Sequence, residues 1–123
     1  MAKRILVIDD EPDVVVTVKA RLEASGFEVV SAANGREGLL KAQSEKPDLI
    51  LLDIMLPDLD GTVLASKFKE ISATKNIPIV FLTALVKKEE LDAGYGNVGD
   101  NLFVSKPIED KVLLAAINKK LGD

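Results

Sequence analysis

"RILVIDDEPD", residues 4–13, sets an apolar run directly against a knot of acids. Ile5, Leu6, Val7 and Ile8 are followed by Asp9, Asp10 and Glu11, and Pro12 then separates these from Asp13. Two carboxylates about 4 Å apart repel by roughly 4 kcal/mol at an effective dielectric near 20. Either the acids splay into water or something positive sits among them. Alone, the acids and Pro12 also suit the first turn of a helix, where the backbone dipole favours negative charge and proline has no amide to lose.

Three more segments share the character of the first run. "DLILLD" (48–53) and "IPIVFLT" (77–83) are continuous in Ile, Leu and Val rather than alternating, and "NLFVS" (101–105) is a shorter version. Continuous apolar runs mark strands covered on both faces, as in a parallel sheet. "FEVVSA" (27–32) is a fifth strand, nearer an edge. Between them the period changes to that of a helix. Val14, Val15, Val18 and Leu22 share one face, with Gly26 as a stop signal. Leu39, Leu40 and Ala42 mark a second helix that ends before Pro47. Leu64, Phe68 and Ile71 mark a third, and Val112, Leu113, Ala116, Ile117 and Leu121 the last. Residues 86–101, "VKKEELDAGYGNVGDN", have room for a short helix at 87–93, but Gly94, Gly96 and Gly99 predict a mobile link.

Alternating strand and helix predicts an α/β fold with one doubly wound sheet. The length of 123 residues suits one domain, spanning 1–123. A hydrophobic content of 47% is enough for a core and argues against disorder. Net charge is −4, and the basic residues are scattered, which argues against a nucleic-acid surface. The absence of Cys and His leaves hard, oxygen-bound cations as the metals this chain suits. The amino terminus lacks the long apolar run of a secretory signal, and no uncharged apolar stretch reaches membrane-span length, so a cytoplasmic protein is expected.

Ligands of doubly wound sheets sit outside the carboxyl ends of the strands. Here those ends carry Asp9 and Asp10, Asp53, Thr83 followed by Ala84, and Lys106–Pro107. Three carboxylates, a hydroxyl and an ammonium would share one edge. That set suits Mg²⁺ and a phosphoryl group. Separately, each has a plainer explanation. Thr83 stops a buried strand, Lys106–Pro107 makes a turn, and Phe103 fills core. "PDLDG" (57–61) is turn chemistry, with Gly61 supplying backbone freedom and Asp58 and Asp60 taking no part in the chemistry.

Taken together and in order, "VIDDEP", "LILLDIMLPDLDG", "PIVFLTA" and "FVSKP" resemble the receiver domain of bacterial two-component response regulators, in the manner of a chemotaxis-type single-domain receiver. The resemblance covers essentially the whole chain. It implies a flavodoxin-like five-stranded parallel sheet of order 2-1-3-4-5 with helices on both faces. It implies Asp53 as phosphoacceptor, and Mg²⁺ held by Asp10, Asp53 and the Met55 backbone carbonyl, with Asp9 acting through water. Thr83, the Ala84 backbone N–H and Lys106 would hold the phosphoryl oxygens. A cis Lys106–Pro107 bond is implied as well, and a switch made by Thr83 and Phe103. The implied donor is a phosphohistidine on a sensor histidine kinase or phosphotransfer protein. The output face would be the fourth helix, the last strand and the last helix, read by a downstream target or output domain. The resemblance also allows a phosphorylation-dependent homodimer. Such a domain is a phosphoacceptor rather than an enzyme in the usual sense.

Three rivals fit less well. Aspartate-nucleophile phosphatases and mutases resemble a pattern with a second Asp two residues after the first, where this chain has Met55. A flavin domain of similar topology wants a hydroxyl-rich, phosphate-cradling loop after the first strand, where acids stand instead. A pure binding module has no need of the combined acids, Thr83 and Lys106.

Overall fold

A computed structural model describes residues 2–84 and 101–122, together with the strand course of 95–98. The strands are β1 (Arg4–Ile8), β2 (Glu28–Ala32), β3 (Leu49–Asp53), β4 (Ile79–Thr83), β5 (Tyr95–Val98) and β6 (Asn101–Ser105). The helices are α1 (Pro12–Ala24), α2 (Gly35–Glu45), α3 (Gly61–Glu70) and α4 (Asp110–Leu121). The sheet order is β2-β1-β3-β4-β6-β5. All five expected strands pair in parallel and in the expected order.

Continuous apolar sequence becomes two cores through the period-2 geometry of a strand. Ile5, Val7, Leu49, Leu51, Val80, Leu82 and Val104 face α1 and α4, where Val18, Leu22, Leu113 and Ile117 complete one cluster. The alternate residues Leu6, Ile8, Ile50, Leu52, Phe81 and Phe103 face the other way, onto Ala42, Leu64 and Phe68. Truncating a fully buried residue such as Phe68 to Ala costs about 3–5 kcal/mol. Leu40 lies in α2 as expected but on its outer face. It is 62% exposed, and α2 instead buries Gly35, Gly38 and Ala42, with Leu39 half-buried against the same core. Ile71 likewise lies just beyond α3, as its C-terminal cap.

The glycine-rich stretch needs a correction. Tyr95–Val98 is a sixth strand, antiparallel to β6, with Tyr95 opposite Val104 and Val98 opposite Asn101. Glycine propensity predicted irregular chain there, and cross-strand backbone pairing overrides it at these four residues. The helix expected at 87–93 lies outside the described residues.

Local signals do begin and end the helices. Pro12 opens α1, and Gly26 closes it with φ +94°, a left-handed conformation that suits glycine. Asn34 caps α2 by accepting from the Glu37 amide at 2.8 Å, while the Glu37 carboxylate accepts from the Ala33 amide at 2.7 Å. The connection from β3 to α3 is held most tightly. Gly61 donates its amide to the Ile54 carbonyl at 2.7 Å, and a Cβ built on Gly61 would sit 2.3 Å from the Asp53 carbonyl oxygen and 2.7 Å from the Ile54 Cα. Among the described residues only Gly26 and Gly122 are glycines of positive φ, so Gly61 supplies space rather than backbone freedom. Gly61→Ala should therefore push on backbone and cost more than about 2 kcal/mol in urea unfolding. Gly38→Ala, whose new methyl would meet the end of the Ile8 side chain, should cost clearly less.

Candidate functional site

Parallel pairing brings the carboxyl ends of β1, β3, β4 and β6 to one edge, where Asp9, Asp53, Thr83 and Lys106 follow or end their strands. Each acid is placed by backbone. Asp9 donates its amide to the Ala32 carbonyl at 3.1 Å, and its Oδ1 accepts from the Glu11 amide at 3.0 Å. Asp53 is the last residue of β3 and its Oδ1 accepts from the Met55 amide at 3.2 Å. Lys106 donates its amide to the Thr83 carbonyl at 2.9 Å, which fixes β6 against β4 at this edge. The Lys106–Pro107 bond is cis, as expected.

The positive group that the opening acids demand is Lys106. Its ammonium lies 2.9 Å from Asp9 Oδ2, 2.8 Å from Glu11 Oε1 and 3.3 Å from Asp53 Oδ2. Asp9 and Asp53 are nearly inaccessible to water, at 1% and 4% exposure. Buried carboxylates need such pairing, because desolvation of the charged form is expensive. Burial pushes the Asp53 carboxyl above its ordinary range, and the neighbouring Asp9 charge pushes the same way. The Met55 amide and Lys106 only partly offset them. Burial alone would depress the Lys106 ammonium, but its hydrogen bond to Glu11 and the charges of Asp9 and Asp53 outweigh it, so its net shift is upward.

One lysine does not satisfy this cluster. Asp9 Oδ2 faces the ammonium at ion-pair distance, but in a direction that makes no hydrogen bond, and it is a buried oxygen without a donor. Asp9, Asp10 and Asp53 each present a carboxylate oxygen, and these oxygens lie within 4.8 Å of one another. An all-oxygen donor set of this size, with an unsatisfied buried oxygen and with Asp10 open to solvent, fits a hard divalent cation that keeps part of its water shell.

The other expected residues surround this cluster. Thr83 is fully buried at the end of β4, in register with Ser105, and Ala84 is exposed beside it. Met55 is 63% exposed just beyond Asp53. Phe103 is 8% exposed and lies on the opposite core, its ring stacked on Phe81 with centroids 5.2 Å apart.

Two residues near the site carry roles that the sequence reading did not assign. Glu11 reaches Lys106 across 95 positions of chain. Asp58 accepts from the Gly35 and Arg36 amides at 2.8 and 2.9 Å, and these bonds hold its carboxyl below the usual range. It thus ties the loop after Asp53 to the start of α2. Asp60 does local work, accepting from the Thr62 hydroxyl and amide at the start of α3. Neither Asp58 nor Asp60 belongs to the carboxylate cluster.

A parallel α/β sheet whose strand tips gather acids around one lysine is the architecture of a receiver domain. The chain belongs to the response regulator receiver domain family, whose model matches residues 5–118. It is 41% identical over 118 residues to the alkaline phosphatase synthesis transcriptional regulatory protein PhoP of Bacillus subtilis, covering 95% of this chain and 48% of that protein. It is 35% identical over 120 residues to the protein PilH of Pseudomonas aeruginosa, covering 97% of this chain and 98% of that one. The chain thus spans about half the length of the first relative and nearly all of the second. Among solved structures, the receiver domain of a sensor histidine kinase from Pseudomonas aeruginosa superposes with a TM-score of 0.83 at 26% identity, over the full length of both chains. That structure has a magnesium ion coordinated in its active-site cleft.

The raised Asp53 carboxyl has a sign that can be checked. The folded chain binds the Asp53 proton more tightly than the unfolded chain does, so this group costs stability as pH rises above its ordinary value of 3.8. In metal-free buffer at pH 7, Asp53→Asn is expected to raise the urea midpoint, and the gain should shrink as pH falls toward that value. A lower midpoint for the variant at pH 7 would contradict the assignment of burial as the dominant cause.

Proposed function

We propose that this chain is a phosphorylation-activated receiver in which Asp53 accepts a phosphoryl group from a phosphohistidine of a sensor histidine kinase or phosphotransfer protein. The observation that carries the reading is the meeting of buried Asp53 with Lys106 at 3.3 Å, beside Asp9 and Asp10, at the carboxyl ends of parallel strands. In the transfer, an Asp53 carboxylate oxygen attacks phosphorus and the phosphorus–nitrogen bond breaks. The electron pair leaves with the imidazole, and an acyl phosphate remains on Asp53. No histidine of this chain is available as donor, since it has none.

Asp10, Asp53 and the Met55 carbonyl would hold Mg²⁺, with Asp9 in support. The cation supplies charge neutralisation for the transferring group. Lys106, already aimed at Asp53, would take one phosphoryl oxygen. Thr83 and the Ala84 amide, at the tip of the neighbouring strand, would take another. The new group adds close to two negative charges and three acceptor oxygens, enough to draw the Thr83 hydroxyl toward it. That movement would repack Phe103 against Phe81 and so alter the face around β6 and α4. A bias of a few kcal/mol inverts such a two-state population. The helix expected at 87–93, assigned to this output face, lies outside the described residues. The whole of 1–123 is read as one receiver, acting in the cytoplasm through protein partners. No helix among the described residues is long and apolar enough to cross a membrane.

Met55 is apolar and offers no polar side chain to orient an attacking water, so self-dephosphorylation should be slow. The test is incubation with a small phosphodonor and Mg²⁺, followed by intact mass. The native chain should gain one phosphoryl group, and Asp53→Asn none. The phosphorylated sample should shift the Phe103 ring resonances and decay over far longer than seconds. Equal labelling of the two chains sinks the phosphoacceptor assignment, unmoved Phe103 resonances sink the switch, and decay within seconds sinks the role given to Met55.

A further inference from the structure

We propose that Glu11 is a displaceable counter-ion, which occupies Lys106 until a phosphoryl group arrives and then gives up its place. The inference rests on the reading of Asp53 as phosphoacceptor and adds a residue that controls how readily the site fills.

Three carboxylates surround the Lys106 ammonium, and they are not equivalent. The side chains of Asp9 and Asp53 are 0% and 6% exposed, each on the end of a buried strand, with one oxygen tied to a backbone amide. The Glu11 side chain is 59% exposed. Its backbone is pinned, because its amide donates to Asp9 and its carbonyl accepts from Val15 at the first turn of α1. The side chain can therefore swing while the chain beneath it stays still. Beside it lies a cleft of about 500 Å³ that runs from Lys106 along Glu11, Asp13, Val14, Pro107 and Ile108, with room for the carboxylate to turn away from the ammonium.

An ammonium has three hydrogens. Glu11 makes the shortest of the three contacts here, at 2.8 Å, while Asp53 is reached at 3.3 Å. The ammonium's hydrogen bonds go to Glu11 and Asp53, and Asp9 is paired with it by charge. A phosphoryl group on Asp53 brings further anionic oxygens to the same ammonium and competes with the carboxylates already there. Asp9 and Asp53 are fixed by burial, so Glu11 is the acceptor that yields. Its carboxylate then turns into the cleft beside Asp13 and adds negative charge near the start of α1. Filling the site competes with an existing ion pair, so Glu11 opposes occupancy. For a pair this exposed, the effect on affinity is about two- to fivefold.

The test uses the full chain with Mg²⁺ and beryllium fluoride, a small anionic mimic of the phosphoryl group. Its binding is followed by calorimetry and by the ζ-nitrogen resonance of Lys106. Glu11→Gln and Glu11→Asp should each bind the mimic about two- to fivefold more tightly than the native chain. The aspartate is too short to reach Lys106 but keeps its charge, so it separates contact from field. The Lys106 resonance of both unliganded variants should differ from the native one, a change that a purely structural role for Glu11 would not produce. Unchanged or weaker binding in Glu11→Gln overturns the proposal. A gain in Glu11→Gln but none in Glu11→Asp reduces the effect to long-range charge and overturns displacement. If the native chain takes up neither the mimic nor a phosphoryl group, the phosphoacceptor reading itself has failed, a result distinct from the other two.

Discussion

The ammonium of Lys106, set among Asp9, Glu11 and Asp53, is the contact on which the arrangement of this molecule depends. It joins residues from the tips of β1, β3 and β6 with the start of α1. Without it, two nearly inaccessible carboxylates would face each other in a poorly screened environment. Breaking a buried ion pair by removing one partner typically costs about 3–5 kcal/mol, because the remaining charge stays buried. The geometry is also frustrated. Asp9 Oδ2 keeps no hydrogen-bond donor, and the Asp53 carboxyl is pushed upward despite its lysine. A site short of positive charge in its resting form is prepared to take a cation.

Rigidity around this cluster comes from backbone rather than from side chains. The turn after β3 is closed by the Gly61 amide on the Ile54 carbonyl and by the pairing of Met55 with Asp60. Gly61 approaches the Asp53 carbonyl so closely that no side chain fits there. Asp58 then fastens the same turn to the first amides of α2. The segment that carries the Met55 carbonyl is thus held from two directions, by the sheet and by a helix end. Preorganisation of this kind keeps candidate ligands in place before anything binds.

Much of this was legible beforehand, for identifiable reasons. Continuous Ile, Leu and Val runs mark buried parallel strands because strand alternation sends successive side chains to opposite, equally dry faces. The meeting of Asp9, Asp10, Asp53 and Lys106 followed from one rule, that parallel strands end on a common edge. Other features were not legible. Leu39, Leu40 and Ala42 mark the helix correctly, yet only the packing shows that Leu40 points outward while Leu39, Ala42 and two glycines face the sheet. Gly61 looked like a turn glycine, yet its φ is ordinary and the constraint is the backbone of Asp53. Tyr95–Val98 looked irregular because glycine propensity is local, whereas its pairing with β6 is a tertiary event.

Glu11 marks the boundary between the two kinds of knowledge. Its charge, its place after Asp10 and its suitability for opening a helix could be read directly from the order of residues. Its contact with Lys106, 95 positions away, could not. Periodicity and strand-end chemistry are short-range properties, carried by residues within a few positions of each other, and they determined the fold class and the composition of the strand tips. Which of several neighbouring acids faces the lysine, which oxygen is left without a donor and where a backbone admits only glycine depend on ångström-scale distances between segments far apart in the chain. Only the packed sheet and its helices decide those distances.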